Sequence, residues 1–113
     1  TDGEPQDRVF DVVWSGDRAP GADGKLPAVG NTVDLTQATY TNTIGSAELI
    51  GNWTDPQFDP RQGAVYYVRV LQIPTPRWST DDAVRAGLPL QEGVAATVQE
   101  RAWTSPIWYT PKG

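Results

Sequence analysis

The sequence predicts a mostly β protein: an antiparallel sheet or β-sandwich with one short helix, forming an incomplete domain. Three observations predict it. The longest apolar run, Ala64–Ile73, is β-branched and aromatic, which suits a pleated surface. Ten prolines and eleven glycines in 113 residues punctuate the chain and argue against a helical bundle. Only Ser79–Gly87 carries both a helix start and a helix stop.

Ala64–Ile73 is the expected central strand. Val65, Tyr67, Leu71 and Ile73 alternate with Tyr66, Val68 and Val70, so both faces are apolar and a cover on each side is expected. Arg69 and Gln72 are its only strongly polar members. A buried Arg69 would need a carboxylate partner. Pro74-Thr75-Pro76 ends the run, because proline cannot donate to a ladder.

Upstream, Thr1-Asp2-Gly3-Glu4 reads as a hairpin turn and Arg8–Trp14 as the strand after it. The turn lacks a strand before it, so the first half of a hairpin is expected to lie further upstream; the alternative reading is a loose N-terminal tail that happens to contain Asp-Gly. Ser15–Asn31 is a long loop rich in Gly, Pro and Asp. Asp17 and Asp23 invite a calcium reading, but their spacing matches no EF-hand, and a solvated loop is the reading adopted. Thr32–Leu35 and Ser46–Thr54 are read as short strands, and Thr39–Thr43 as an edge or loop. Asn52-Trp53-Thr54 matches a glycosylation sequon by pattern alone.

Asp55–Gly63 contains two Asp-Pro steps, and each Asp can close a local turn through its side chain. Downstream, a helix is expected over Asp81–Ala86. Ser79 or Thr80 would cap its start and Gly87 its end. Val94–Trp103 is read as strand for most of its length. Thr104-Ser105-Pro106 interrupts, and Ile107-Trp108-Tyr109 is a final short strand.

Composition removes several chemistries. There is no cysteine and no histidine, so the chain has no disulfide, no thiolate and neither of the commonest zinc ligands. Serine lacks a histidine or evident lysine partner for nucleophilic catalysis. A net charge of −5 opposes binding to nucleic acid or to an anionic membrane. No cofactor is expected in this chain and no residue is read as catalytic or as a metal ligand. Paired carboxylates could serve glycoside chemistry only at a defined separation across a cleft, which spacing does not supply.

Five tryptophans remain. Trp14, Trp53 and Trp103 are assigned to core packing, where an indole buries a large area. The contrary reading is a row of exposed aromatics stacking on sugar. Trp78 is set apart: it follows a proline stop beside Arg77, on a loop that a rigid scaffold would present. Arg77 and Trp78 are therefore candidates for contact with a substrate or a neighbouring domain. Arg101, within Gln99-Glu100-Arg101, is the third, with a salt-bridged strand residue as its plain reading. A structural reading of the first pair has Arg77 bound to Asp81 or Asp82 and Trp78 packed under the helix.

Two long runs carry a family resemblance. They are Tyr66-Tyr67-Val68-Arg69-Val70-Leu71-Gln72-Ile73-Pro74-Thr75-Pro76-Arg77-Trp78-Ser79-Thr80 and Gln99-Glu100-Arg101-Ala102-Trp103-Thr104-Ser105-Pro106-Ile107-Trp108-Tyr109. Val9–Asp17, Asn31-Thr32-Val33-Asp34 and Tyr40-Thr41-Asn42-Thr43-Ile44-Gly45 fit it too. Together they resemble the C-terminal end of a large bacterial family of unknown function. Its full-length members begin with a His- and Asp-containing segment similar to the metal site of PHP-type (polymerase and histidinol phosphatase) hydrolases.

The resemblance implies that residues 1–113 are a C-terminal β-rich fragment of a longer protein. The fragment would be inactive alone and packed on the upstream portion. A divalent metal would be held upstream, by ligands absent here, and the small-molecule substrate is unspecified. It is compatible with a periplasmic or secreted full-length protein. The alternative is a stand-alone β-sandwich binding module, with carbohydrate as its ligand.

Overall fold

The computed structural model describes residues 4–112. Six short strands and one helix follow in order: β1 (Ala64–Tyr66), β2 (Arg69–Leu71), β3 (Thr75–Pro76), α1 (Trp78–Ala86), β4 (Thr97–Val98), β5 (Arg101–Trp103) and β6 (Ile107–Tyr109). The strands pair antiparallel as β1 with β6, β2 with β5 and β3 with β4. This nesting makes them three segments of one long ribbon, with α1 and the loop after it at the tip. The fold is thus the antiparallel-sheet form of the expected mostly β architecture with one short helix.

The expected continuous strand Ala64–Ile73 is broken, and the reason lies across the ladder. Between Tyr66↔Ile107 and Arg69↔Trp103, the two residues Tyr67 and Val68 face three, Thr104-Ser105-Pro106. Between Leu71↔Arg101 and Thr75↔Val98, the three residues Gln72-Ile73-Pro74 face two, Gln99 and Glu100. Each step holds one extra residue, which is the definition of a β-bulge, and each contains a proline that has no N–H for the ladder. The second bulge reverses the register shift of the first.

Hydrogen bonds bridge both bulges. Thr104 N–H donates to the Val68 carbonyl at 2.9 Å, and Val68 N–H donates to the Thr104 hydroxyl at 2.9 Å. Gln72 N–H donates to the Glu100 carbonyl at 2.9 Å. Val94–Trp103, expected as mostly strand, therefore narrows to β4 and β5, while Ile107–Tyr109 forms as expected.

The helix stops where the sequence says it should. Gly87 adopts a left-handed conformation (φ 64°), its N–H reaching Val84 O and the Leu88 N–H reaching Ala83 O. Those paired bonds form a Schellman motif, which glycine accommodates without a Cβ penalty. The start differs from expectation. Arg77 occupies the N-cap position with no side-chain cap, and Ser79 and Thr80 lie inside the helix. Thr80 instead turns its hydroxyl to the Ala96 carbonyl at 2.7 Å and is 2% exposed. An Asp81–Arg85 ion pair at 3.0 Å spans one turn on the helix surface. Such pairs contribute about 0.3–0.5 kcal/mol.

Residues 4–63 contribute no strand to this ribbon. The strands expected at Arg8–Trp14, Thr32–Leu35 and Ser46–Thr54 do not form. Alternation prepares a segment for a sheet, but a strand also needs a paired neighbour. The one ladder contact here among the described residues is an isolated bridge, Asp34↔Thr39. The Asp-Gly turn expected at Thr1–Glu4 rests on residues 1–3, outside the described residues. The long loop is knitted by Arg18, which donates to the Ser15 and Pro27 carbonyls while its own carbonyl accepts from Trp14 Nε1.

The Asp-Pro connection behaves as read. Asp55 Oδ1 accepts from Gln57 N–H at 2.8 Å, and Asp59 Oδ1 from Arg61 N–H at 2.9 Å. This loop covers one face of β1 and β6. Tyr66 donates its hydroxyl to Asp55 Oδ2, Tyr109 donates to the Pro60 carbonyl, and Phe58 meets Tyr109 edge to face with centroids 4.9 Å apart. Separately, Trp53 meets the Tyr66 ring edge to face at 6.3 Å, and Phe10 meets Trp53 at 4.9 Å.

The expected core is absent among the described residues, where no apolar side chain is fully buried. Trp14 is half-buried, and Trp53 and Trp103 are exposed, contrary to their core assignment. Arg69, expected buried and paired, is exposed and has no ion pair among the described residues. The radius of gyration is 19.2 Å. A globular chain of this length would have about 13 Å. Accessible surface is 9407 Å², against roughly 6,100 Å² for a folded monomer of this mass.

Asp59 offers a local readout of the loop over β6. Hydrogen bonds from the Arg61 side chain and backbone hold its carboxyl at about 2, below the ordinary 3.8. The folded loop favours the ionised form, so its contribution is full above the ordinary carboxylate range and fades as pH falls toward 2. Carbon-detected NMR titration should find the Asp59 midpoint near 2. Arg61→Ala should move it up toward the unperturbed value.

Candidate functional site

The carbonyl of Ala96 fixes the ribbon tip. It accepts from Arg77 N–H at 3.0 Å and from Thr80 Oγ1 at 2.7 Å. One acceptor with two lone pairs thus pins both the entry to α1 and its first turn to the strand opposite. The consequence is positional: Arg77 is half-buried, and Trp78 begins the helix with its indole 74% exposed.

A shallow cleft of about 340 Å³ opens here, lined by Tyr40, Gln72, Thr75, Arg77, Trp78 and Asp81 among others. That volume lies at the low end for small-ligand sites. On the other side of the indole lies a second cleft of about 330 Å³, formed with Ala83, Leu88 and Pro89. Trp78 therefore stands as a wall between two recesses. Tyr40 reaches the first from a loop held against the ribbon at Gly45. A Cβ at Gly45 would lie 2.5 Å from Ile73 Cγ2, and its φ is +80°, so glycine is required twice over. Ala38, also lining the cleft, sits in the left-handed region at φ 51°.

The sequence candidates divide. Arg77 and Trp78 meet in this cleft. Arg101 does not join them; it lies in β5 opposite Leu71, exposed and without an ion pair among the described residues. The structural alternative for Arg77 also fails in part, since Asp81 is engaged by Arg85 and Arg77 has no carboxylate within 4.0 Å among the described residues. Trp78 is not packed under the helix. Gln72, Tyr40 and Asp81 were not identified as site residues. Gln72 carried a signal, being polar in an apolar run. Tyr40 carried none, because a tertiary contact brings it in.

The cleft supplies a guanidinium fork, an indole face, a phenol, an amide and the Asp81 carboxylate, which is engaged by Arg85. These groups bind and orient, but they do not constitute a general acid–base pair or a nucleophile with its base. The described residues do not fit a metal centre: no three His, Cys, Asp or Glu side chains come together among them. Among the described residues no helix is long and apolar enough to cross a membrane.

Ribbon and cleft together define a β-rich segment with one short helix and a shallow cleft at its tip. The family model described as "Protein of unknown function (DUF3604)" matches residues 1–111, and the chain belongs to that family. No curated protein and no solved structure matches it.

The Ala96 pin is directly testable. Thr80→Val keeps the volume and removes one donor, at a cost of about 1 kcal/mol. Amide exchange at Arg77 and Thr80 should accelerate by a factor of about 5, the equivalent of that loss, while exchange in the β1–β6 pairing stays unchanged.

Proposed function

We propose that this chain is the C-terminal β-rich portion of a longer PHP-like metal-dependent hydrolase of unspecified substrate, and that it packs on the upstream catalytic region. One observation carries the packing half. Among the described residues no apolar side chain is buried, while Val65, Val68, Val70, Leu71, Trp103 and Trp108 are all exposed. Two-stranded ribbons are marginal in water without a surface to cover them. The surplus of about 3,300 Å² over a folded monomer's surface exceeds the roughly 1,000–2,500 Å² that one partner commonly gives to a permanent interface.

Support for the hydrolase half is the family membership together with the resemblance of full-length members to PHP-type enzymes. Metal ligands would come from upstream, since this chain has neither histidine nor cysteine. A stand-alone carbohydrate-binding module is the second reading, favoured by the exposed indoles of Trp78 and Trp108. It requires a sandwich core, and the described residues have none.

Under this reading the isolated chain is inactive and melts without a sharp transition. Assays on phosphoester and sulfate-ester substrates with zinc, manganese and magnesium should show turnover only for the longer protein. A cooperative two-state melt of the monomeric 113-residue chain, unaltered by upstream sequence, would contradict the packing half. Turnover that tracked the short polypeptide through purification would contradict the assignment of chemistry upstream.

Arg77 and Trp78 are assigned to face the upstream catalytic cleft. The guanidinium would grip an anionic group of the substrate, with the indole stacked beside it. In the full-length protein, Arg77→Ala and Arg77→Lys should each reduce kcat/KM while Tm stays near wild type. Lysine should fail because it lacks the planar fork. A fall in Tm without a kinetic defect in the folded fraction would make Arg77 structural.

A further inference from the structure

The middle of the ribbon carries a surface that the cleft does not use. In β2 and β5, Arg69 lies opposite Trp103 and Leu71 opposite Arg101. Partners in an antiparallel ladder share a face, so these four side chains form a two-by-two patch. The two arginines occupy one diagonal, and tryptophan and leucine the other. Trp103 is 56% exposed and Leu71 52%. Both arginines are exposed, and neither has an ion pair among the described residues.

We propose that this β2–β5 face is the docking surface for an acidic and apolar face of the upstream portion of the same protein, an inference that rests on the packing reading above. Charge complementarity selects that occupant. Two unpaired guanidinium forks flanking an indole call for carboxylates around an apolar centre. A second copy docked face to face would bring four guanidinium groups into one interface with no carboxylate in the patch to pair them. Nucleic acid and anionic lipid face a chain of net charge −5. The surplus surface is larger than a transient interface would cover.

The experiment uses the full-length protein, its oligomeric state followed by light scattering, with hydroxyl-radical footprinting read by mass spectrometry. Trp103 and Leu71 should be labelled several-fold more slowly than in the urea-unfolded protein. Arg101→Glu should restore fast labelling of Trp103 and lower Tm by several degrees, while Arg101→Lys, which keeps the charge, should change Trp103 labelling little. Fast labelling of Trp103 in the native protein, with Val65 and Trp108 protected, would overturn this docking face and leave the packing reading intact. Fast labelling of all of them would overturn both. Protection of Trp103 that vanished on dilution would assign the face to a second copy. Protection that survived Arg101→Glu would remove the acidic partner.

Discussion

The antiparallel ladder between residues 64–77 and 96–109 determines where every other ordered element can sit. Its outermost rung joins Ala64 to Tyr109, and its last hydrogen bond ties Arg77 to Ala96. Everything between those positions must return the chain on itself, and α1 does so. Loop-closure entropy grows slowly with length, so the long excursion costs little more than a short one. The ladder is supported on one side only. Asp55 and Pro60 hold the phenols of Tyr66 and Tyr109, and the opposite face carries Val65 and Trp108 into solvent.

Two prolines divide this ladder into segments. Pro106 and Pro74 sit on opposite strands, and each lies on the longer side of a bulge, where it has no N–H to give the ladder. Bulges bend and twist a ribbon. A bend after Leu71 brings Gln72 and Thr75 to the same cleft as Arg77, and Gly45 lets the Tyr40 loop come close against Ile73. The proline stops read in the sequence as ends of strands are thus the joints that shape the tip.

What was legible in the sequence is what local chemistry decides. Gly87 ends the helix because a left-handed residue is needed there, and Asp55 and Asp59 close turns through their own carboxylates. Ile107–Tyr109 forms because a β-prone triplet follows a proline break. Pairing is a different matter. Arg8–Trp14 has the alternation of a strand but finds no neighbour, and Ala64–Ile73 is interrupted by residues over thirty positions away. The site divides along the same line. Arg77 and Trp78 are adjacent in sequence and stay together, Arg101 is carried to the middle of the ribbon, and Tyr40 arrives from a distant loop.

Apolar composition and burial disagree in this chain, and that disagreement bears on function. Hydrophobic residues make up 38% of the sequence, enough for a modest core. Yet among the described residues none of them is fully buried, those of the ribbon lie on both its faces, and the molecule is 64 Å along its longest axis. A two-stranded ribbon cannot enclose its own side chains, whatever their number, because it has no second layer. Exposed apolar residues scattered singly need no explanation, but Val65, Leu71, Trp103 and Trp108 follow one another along a single paired structure. Water can be excluded from such a structure only by a second layer, and the described residues contribute none. Under the proposed packing on an upstream portion, the stability of the ribbon and the orientation of its cleft would depend on that contact.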